Sequence, residues 1–233
     1  MNLTKTLRQQ GYDLIDGPVR NHKLLQLWLK SPYNEVQLYY AHLSHAFESK
    51  VPLTALESAA LSIDAAATNE YSFHIGISLL EEILNALHFN TFEISSKIKS
   101  GKKVTIAYTD AITREVPIGE IQNYLATSDF KHANKRLLKN ANRNNILIIH
   151  GVLFAKNLVV TIDTDFKVAS DWIADLNQIA EGKLDFEIAA ENKLKMVSRG
   201  HHYFPIAIKA DRIDFDKGHF NNTKLITDNR RFF

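Results

Sequence analysis

Ten histidines and 26 acidic residues are the side chains of this 233-residue chain that could support metal or acid–base chemistry. His201 and His202 are adjacent, and neighbouring side chains on a strand point to opposite faces, so the two do not predict a shared metal ion. His42 and His45 have a helical spacing, but no His-Glu-x-x-His pattern surrounds them. Surface or polar-filler histidines explain both pairs. The sequence predicts neither a metal site nor a cofactor.

The motifs of the common enzyme classes are missing from the sequence. It contains no Gly-x-Ser-x-Gly elbow, no phosphate-binding glycine-rich loop and no Gly-x-Gly-x-x-Gly fingerprint. Asp163, Asp165 and Asp171 are explained more simply by the solvated face of a strand and the start of a helix than by a carboxylate cluster. The absence of cysteine excludes thiolate catalysis and disulfides. We therefore predict a protein that is not an enzyme.

A basic stretch lies on or beside a predicted helix over residues 131–142. It could meet acidic lipid or nucleic acid, or it could be an ordinary solvated helix face. The formal charge of the whole chain is only +2, so no global attraction to nucleic acid is expected and we predict no nucleic-acid partner. The basic residues are Lys131, Lys135, Arg136, Lys139 and Arg143.

The hydropathy pattern also predicts where the protein is stored. Residues 1–10 have no apolar core and no small-residue cleavage site, so they do not resemble a signal peptide. No window holds the roughly 20 apolar residues that a membrane-spanning helix needs. We expect a cytoplasmic protein with a single domain, which could enter a bilayer only by another route.

Four segments alternate between apolar and polar residues with period 2, which is the signature of strands with one apolar face. They form two pairs, and each pair flanks a predicted helix, over residues 76–88 and 171–181. Ser170 is the expected N-cap of the second helix, and Gly182 is its expected stop. The apolar positions of the four segments are Leu61, Ile63, Ala65 and Ala67; Phe92, Ile94 and Ile98; Leu158, Val160, Ile162, Phe166 and Val168; and Leu184, Phe186, Ile188 and Ala190.

The remaining predicted elements are expected to form a core that does not rearrange. Residues 146–154 form a nearly continuous apolar run, which is typical of a strand buried on both faces. Further strands are expected over residues 24–29, 104–108 and 204–215, the last with a bulge, and further helices over 2–10, 118–125 and 131–142. Residues 34–48 are ambiguous. The predicted fold is α+β: one domain with a twisted, mixed and mainly antiparallel sheet and surrounding helices.

Strand–helix–strand, occurring twice, is also the pattern of a latent β-hairpin. A membrane-spanning strand needs about 9–11 residues that alternate between lipid and lumen. Backbone groups in lipid must be paired, so inserted hairpins must close into a barrel built from many copies. Four half-buried strands in an ordinary soluble sheet would show the same alternation, and periodicity alone does not separate the two hypotheses.

Several segments resemble the gasdermin family, and most closely its bacterial members, over about residues 11–220. The similar segments share order and pattern, because the family has no catalytic signature. They are Gly-Tyr-Asp-Leu-Ile at 11–15 with Leu-Leu-Gln-Leu at 24–27, Tyr-Ser-Phe-His-Ile-Gly-Ile at 71–77, residues 92–99, Lys-Val-Thr-Ile at 103–106, Val-Pro-Ile-Gly-Glu-Ile-Gln-Asn-Tyr-Leu at 116–125 with Ser-Asp at 128–129, residues 146–162 as a strand pair, Gly-Lys-Leu-Asp-Phe-Glu-Ile at 182–188 and Phe-Pro-Ile-Ala-Ile-Lys-Ala at 204–210.

The resemblance implies regulated pore formation. Bacterial gasdermins are held inactive by a short C-terminal tail, which a partner protease cuts during phage infection. The released domains form a large homo-oligomer and insert hairpins into the lipids of the inner membrane, which kills the cell. In this chain, residues 1–220 would be the pore-forming domain, residues 59–99 and 158–197 the two hairpins, and residues 221–233 the inhibitory tail. The implied cleavage positions are Lys224, Leu225 and Arg230, and the implied tail anchors are Leu225, Ile226, Phe232 and Phe233.

Two features depart from the family pattern. Bacterial members usually carry a lipidated cysteine near the N-terminus, and this chain has no cysteine. Glu81 and Glu82 lie in the first helix, where an apolar and glycine-rich hairpin tip is expected, and carboxylates are costly to move across a bilayer. Both departures favour an alternative, a diverged soluble binding or regulatory module with the same frame. A nuclease or other enzyme that uses the basic helix is a third hypothesis, and the missing catalytic motif weighs against it.

Overall fold

The computed structural model describes residues 7–13, 23–30, 36–60, 63–67, 103–131, 134–164, 167–180, 184–198 and 203–226. Three α-helices lie within these ranges: α1 (Ile118–Ala126), α2 (Lys135–Ala141) and α3 (Ser170–Ala180). A 3-10 turn covers Leu43–His45. The strands are β1 (Leu27–Leu29), β2 (Gln37–Tyr40), β3 (Phe47–Glu48), β4 (Leu56–Ala60), β5 (Ile63–Ala67), β6 (Lys103–Glu115), β7 (Asp129–Phe130), β8 (Ile146–Asp163), β9 (Leu184–Ala190), β10 (Lys193–Ser198), β11 (Phe204–Asp216) and β12 (His219–Ile226).

Strand β8 is the centre of the main sheet. Its 18 residues extend over about 60 Å at the usual rise of a strand. Strands β1 and β11 pair with its first half, β10 pairs with its second half, and β6 runs along it from Gly151 to Asp163. Every pairing between the described strands is antiparallel, and the sheet does not close on itself. The predicted fold class is confirmed: a mainly antiparallel sheet with a few helices in a single domain.

The two halves of β8 differ in burial. Residues 146–153 are buried without interruption, whereas exposure alternates from Leu158 onward. Between them, the β6–β8 ladder shifts register, and Asp110 and Asn157 adopt positive φ angles of 51° and 47°. Asn157 Nδ2 donates to Asp110 Oδ2 at 2.7 Å. Short polar side chains tolerate this left-handed conformation, and such irregularities bend a strand pair.

Two core clusters pack against the first half of the sheet, and the larger one includes helix α1. Helix α1 buries Ile121, Tyr124 and Leu125 there at helical spacing. Tyr124 Oη donates to the carbonyl of Phe47 at 2.9 Å. The ring of Phe47 stacks on that of Phe215, with ring centroids 5.4 Å apart. The helix predicted over 118–125 and the core role of residues 146–154 are confirmed.

A polar cluster fastens the N-terminal segment across the sheet. Asp13 and Ile208 exchange two backbone hydrogen bonds of 2.9 and 3.0 Å. Tyr12 Oη donates to the carboxylate of Glu115, which also accepts from Lys209 Nζ at 3.1 Å. Burial, followed by this hydrogen bond, raises the pKa of Tyr12 above its ordinary value. The backbone of Gly151 passes under this cluster, so close that an added Cβ would lie 2.9 Å from Lys209 Cβ and 3.0 Å from Tyr12 Oη.

Several predicted boundaries are wrong. The sequence predicts two strands within residues 146–162, but β8 is one continuous strand, and it ends at Asp163 and not at Val168. Helix α2 is shorter than the predicted helix over 131–142, because Asn134 caps it by accepting from the amides of residues 136 and 137. Ser170 is the first residue of α3 and not its N-cap. The bulge predicted between Ala210 and Ile213 is wrong, because the pairing of β11 with β8 is unbroken there; the change of phase arises because Ile208 and Ala210 pack in a different core cluster from Ile213 and Phe215.

Candidate functional site: an amphipathic sheet

The second half of the sheet has one apolar face that runs across five strands in the order β5, β6, β8, β10 and β9. Directly paired residues of antiparallel strands lie on the same face. Val160, Met196 and Phe186 are paired in one such row and are at most 2% exposed. Ile162 and Leu194 begin a second row and are each 1% exposed. The rows continue at positions 106 and 104 of β6, 65 and 67 of β5, and 188 of β9.

The opposite face of the same strands is polar. Lys195 Nζ lies 2.8 Å from Glu187 Oε2 across β10 and β9. Lys193 Nζ lies 3.5 Å from Asp163 Oδ1 across β10 and β8. Thr161 is in register with Lys195 and extends this face along β8. Five neighbouring strands therefore form an amphipathic sheet whose two faces differ as the two faces of a membrane-barrel wall do.

Helix α3 covers the apolar face where it reaches β9. Ile173 and Leu176 are buried, at 8% and 3% exposure, and α3 packs against β9. Ala174 and Asp175 are exposed on the outer side of the helix. The bounds of α3 confirm the helix predicted over 171–181 within one residue at each end. It shields apolar positions that the sheet alone would leave in water.

The predicted residues of the second hairpin lie together on this sheet. Val160, Ile162 and Phe186 are buried on its apolar face. Ile188 belongs to the same face by register but is 40% exposed at the sheet edge. Leu184 is the first residue of β9.

Strand β10 is an element that sequence reasoning missed. It lies between β8 and β9, so these two strands do not pair with each other. Its signal was present in the alternation of Leu194 and Met196 with Lys193 and Lys195. The segment is only six residues long and follows the turn after β9 directly.

Most of the predicted first hairpin lies outside the described residues. This applies to Leu61, Phe92, Ile94 and Ile98, to the predicted helix over 76–88, and to Glu81 and Glu82. Ile63 is the first residue of β5 and is in register with Tyr108 of β6. By register, Ile63 shares its face with positions 65 and 67 and thus with the apolar rows.

The proposed tail begins inside a strand. The boundary between residues 220 and 221 falls within β12, which pairs with β11 up to Ile226. Ile226 is 6% exposed, whereas Leu225 is 41% exposed. Lys224 is in register with Arg212 inside the same ladder. Arg230, Phe232 and Phe233 lie outside the described residues.

The described part of the chain shows no metal site among its histidines, and its basic residues on α2 point to no specific ligand. Lys135, Arg136 and Lys139 are exposed on α2. Burial, followed by the charge of His45, lowers the pKa of His42 below its ordinary value, and the rings of the two histidines are 6.0 Å apart. Within the described part of the chain, no three acidic or histidine side chains are grouped so that they could hold a metal ion. His201 and His202 fall outside that part. None of the described helices is long and apolar enough to cross a bilayer.

Similarity to known proteins identifies the family of this chain. A profile described as the Bacterial Gasdermin Family matches residues 15–219. The chain belongs to the bacterial gasdermin family. A bacterial gasdermin from a Desulfuromonadales bacterium is 21% identical over 219 residues, which cover 92% of this chain and 82% of that protein. The gasdermin family consists of pore-forming effectors rather than enzymes.

Solved gasdermin structures share the fold. The structure of a bacterial gasdermin from Bradyrhizobium tropiciagri aligns with a TM-score of 0.56 at 12% identity, over 95% of this chain and 90% of the other. The gasdermin A3 membrane pore aligns with a TM-score of 0.37 at 9% identity, over 94% of this chain and 91% of the other. The first of these two similarities shows that the chain has a gasdermin-like fold.

Proposed function

We propose that this gasdermin is an autoinhibited pore-forming protein of the bacterial cytoplasm. After a protease removes its C-terminal tail, it assembles with other copies of itself and inserts two β-hairpins per copy into the inner membrane. The resulting leak kills the cell during phage infection, and no cofactor or nucleic acid takes part. The observation that carries the proposal is the amphipathic sheet, because one continuous apolar face on five paired strands is what a barrel wall presents to lipid.

The register of β8 and β10 supports a specific shape for the second hairpin. The two strands are paired from Val159–Val197 to Asp163–Lys193. The amide of Thr164 already donates to the carbonyl of Asn192 at 2.8 Å, which is the next rung of the same ladder. If this pairing continues without a register shift, the two strands meet at Gln178, which would form the turn of the hairpin. Gln178 now lies in the last turn of α3.

The sequence on this continued ladder keeps the same two faces. Even-numbered positions extend the apolar face of Val160 and Ile162, and odd-numbered positions extend the polar face. On the outgoing strand the described even positions are Thr164, Val168, Ser170, Trp172, Ala174 and Leu176, and the odd ones are Asp163, Lys167, Ala169, Asp171, Ile173 and Asp175. All the acidic residues of this stretch fall on the polar face, so insertion of this strand would bury none of its carboxylates in lipid.

Strand length explains why α3 must take part. Strand β9 has seven residues and β10 has six. Seven residues span roughly 23 Å, and the hydrocarbon core is about 30 Å thick, which a strand crosses with about 9–11 residues. Neither strand is long enough by itself. Joined through the turn at 191–192, β9 and β10 would form one strand over residues 184–198. On the continued ladder residues 184–192 pair with 164–172, so the first turn of α3 must become strand to pair them.

Two neighbouring substitutions on α3 test this proposal. Ala174 and Asp175 are both exposed in the described form, so lysine at either position should leave the folded protein intact. On the continued ladder, position 174 faces lipid and position 175 faces the lumen. A lysine on the lipid face of a membrane barrel costs about 2–4 kcal/mol per copy at the bilayer midplane and about 0–1 kcal/mol near the interfaces. Position 174 lies between the turn and the middle of the strand, so we expect Ala174→Lys to lower dye release and Asp175→Lys to be tolerated.

Dye release is measured from vesicles of phosphatidylethanolamine and phosphatidylglycerol, with the full chain and with a chain that ends at Ile226. Circular dichroism confirms that each variant is folded. Equal dye release by the two lysine variants would contradict the assigned faces. If no folded form of the chain releases dye, the pore hypothesis fails. The second candidate, a soluble binding or regulatory module, then gains support, and the missing cysteine and the Glu81–Glu82 pair already favour it.

A further inference from the structure

The side chain of Asn177 is hydrogen-bonded twice to the backbone of one residue of β9. Its Nδ2 donates to the carbonyl of Phe186 at 2.9 Å, and its Oδ1 accepts from the amide of Phe186 at 2.7 Å. A primary amide carries one acceptor and a donor group on the same plane. Asn177 therefore offers Phe186 what the peptide groups of a neighbouring strand would offer.

These two bonds lie on the outer edge of β9. In an antiparallel ladder, a residue directs both its N–H and its C=O to the same side, and successive residues alternate between the two sides. Because the N–H and C=O of Phe186 are both bonded to Asn177, they point away from β10. Strand β9 pairs only with β10 among the described strands. Asn177 thus occupies a place where a further strand would otherwise bind.

The same two backbone groups of Phe186 are required in the inserted hairpin. On the continued β8–β10 ladder, position 186 is paired with Ser170, which is now the first residue of α3. The rung formed by Thr164 and Asn192 is hydrogen-bonded, and hydrogen-bonded rungs recur at every second position. The rung of Ser170 and Phe186 would therefore also be hydrogen-bonded. It cannot form while the Asn177 amide holds Phe186.

We propose that Asn177 is a latch that keeps α3 helical and keeps the edge of β9 closed until the protein is activated. Ile173 and Leu176 hold α3 on β9 by apolar contact, which is not directional. The Asn177 amide adds the directional contact that sets the position of α3 along the strand. Its release is the step that frees Phe186 for its new partner. This inference rests on the proposed pore-forming function, and it adds the contact that controls the second hairpin.

The latch is tested with Asn177→Leu in the full chain. The control is Asn123→Leu, which makes the same substitution at an exposed position of α1, outside both proposed hairpins. Amide hydrogen exchange is followed by mass spectrometry over residues 184–190 without membranes. We expect exchange in Asn177→Leu to be roughly tenfold faster, the effect of losing about 1.4 kcal/mol of protection. The control should exchange like the original protein. In the vesicle assay, which uses the chain that ends at Ile226, Asn177→Leu should release dye faster than the control.

Asn177→Asp provides a second variant in case Asn177→Leu does not fold. The carboxylate still accepts from the Phe186 amide but cannot donate to its carbonyl, so this amide should stay protected while dye release becomes faster. Unchanged exchange and unchanged dye release in a folded Asn177→Leu would overturn the latch. Faster exchange with no dye release from any form would keep the contact but refute pore formation. If the chain that ends at Ile226 releases dye and neither Asn177→Leu nor Asn177→Asp accelerates this release, the latch alone is refuted.

Discussion

Two truncations separate an inhibitory tail from the strand in which it begins. One chain ends at Phe220 and loses residues 221–233, the whole tail inferred from the sequence. The other ends at Ile226 and loses only residues 227–233. The first truncation cuts β12 after its second residue, whereas the second leaves β12 complete. The two proteins should therefore differ in stability as well as in activity.

The magnitude follows from the β11–β12 ladder. Ending at Phe220 removes five of the seven paired positions, from Asn222 to Ile226. Cross-strand pairs contribute about 0.2–1 kcal/mol each, which gives about 1–5 kcal/mol. Loss of the buried Ile226 side chain adds about 1.5–3 kcal/mol. The hydrogen bond of 3.0 Å from Gln122 to Thr223 is lost as well. The total is a large part of the typical 5–15 kcal/mol free energy of unfolding.

The assay combines urea unfolding, followed by circular dichroism, with dye release from vesicles and growth of cells that express each chain. We expect the chain ending at Ile226 to unfold like the full chain, to release dye and to be toxic. The chain ending at Phe220 should be less stable by about 3–8 kcal/mol. Part of it should aggregate, because the edge of β11 is uncovered.

Equal stability of the two truncated chains would refute the argument that β12 is an integral strand of the sheet. If the chain ending at Ile226 releases no dye while the chain ending at Phe220 is folded and releases dye, then β12 itself inhibits pore formation. In that case Lys224 and Leu225 become the relevant cleavage positions, and β12 must detach from β11 before a protease can reach them. If neither folded chain releases dye, the C-terminal residues do not control a pore.

Three further substitutions test the faces and the packing of the sheet. Ile188→Asp should abolish dye release without unfolding the protein, because Ile188 is already 40% exposed. Glu187→Gln on the opposite face removes a surface ion pair worth about 0–1 kcal/mol, so its effect on dye release should be milder. Equal losses of dye release in the two variants would contradict the assignment of faces. Gly151→Ala should lower the free energy of unfolding by about 1–3 kcal/mol, because its Cβ would meet Lys209 at 2.9 Å and Tyr12 at 3.0 Å. An unchanged denaturation midpoint would show that this cluster can move apart.

The faces of the candidate site could be predicted from the sequence because alternation is local. Period 2 alone assigns Val160, Ile162 and Phe186 to an apolar face, and the sheet buries all three. Helices α1 and α3 are predicted in the same way from spacing and end signals, which act within a few residues.

The partners of each strand were decided only by the tertiary structure. Residues 146–154 and 158–163 have different patterns, because the first part of β8 is buried on both faces and the second on one, yet they form one strand. Strand β10 lies between β8 and β9, and the tail begins inside β12. A period of 2 states which face of a strand is apolar but not which strand lies beside it. Register and neighbours depend on contacts between residues far apart in the chain, and those contacts also place Asn177 on Phe186.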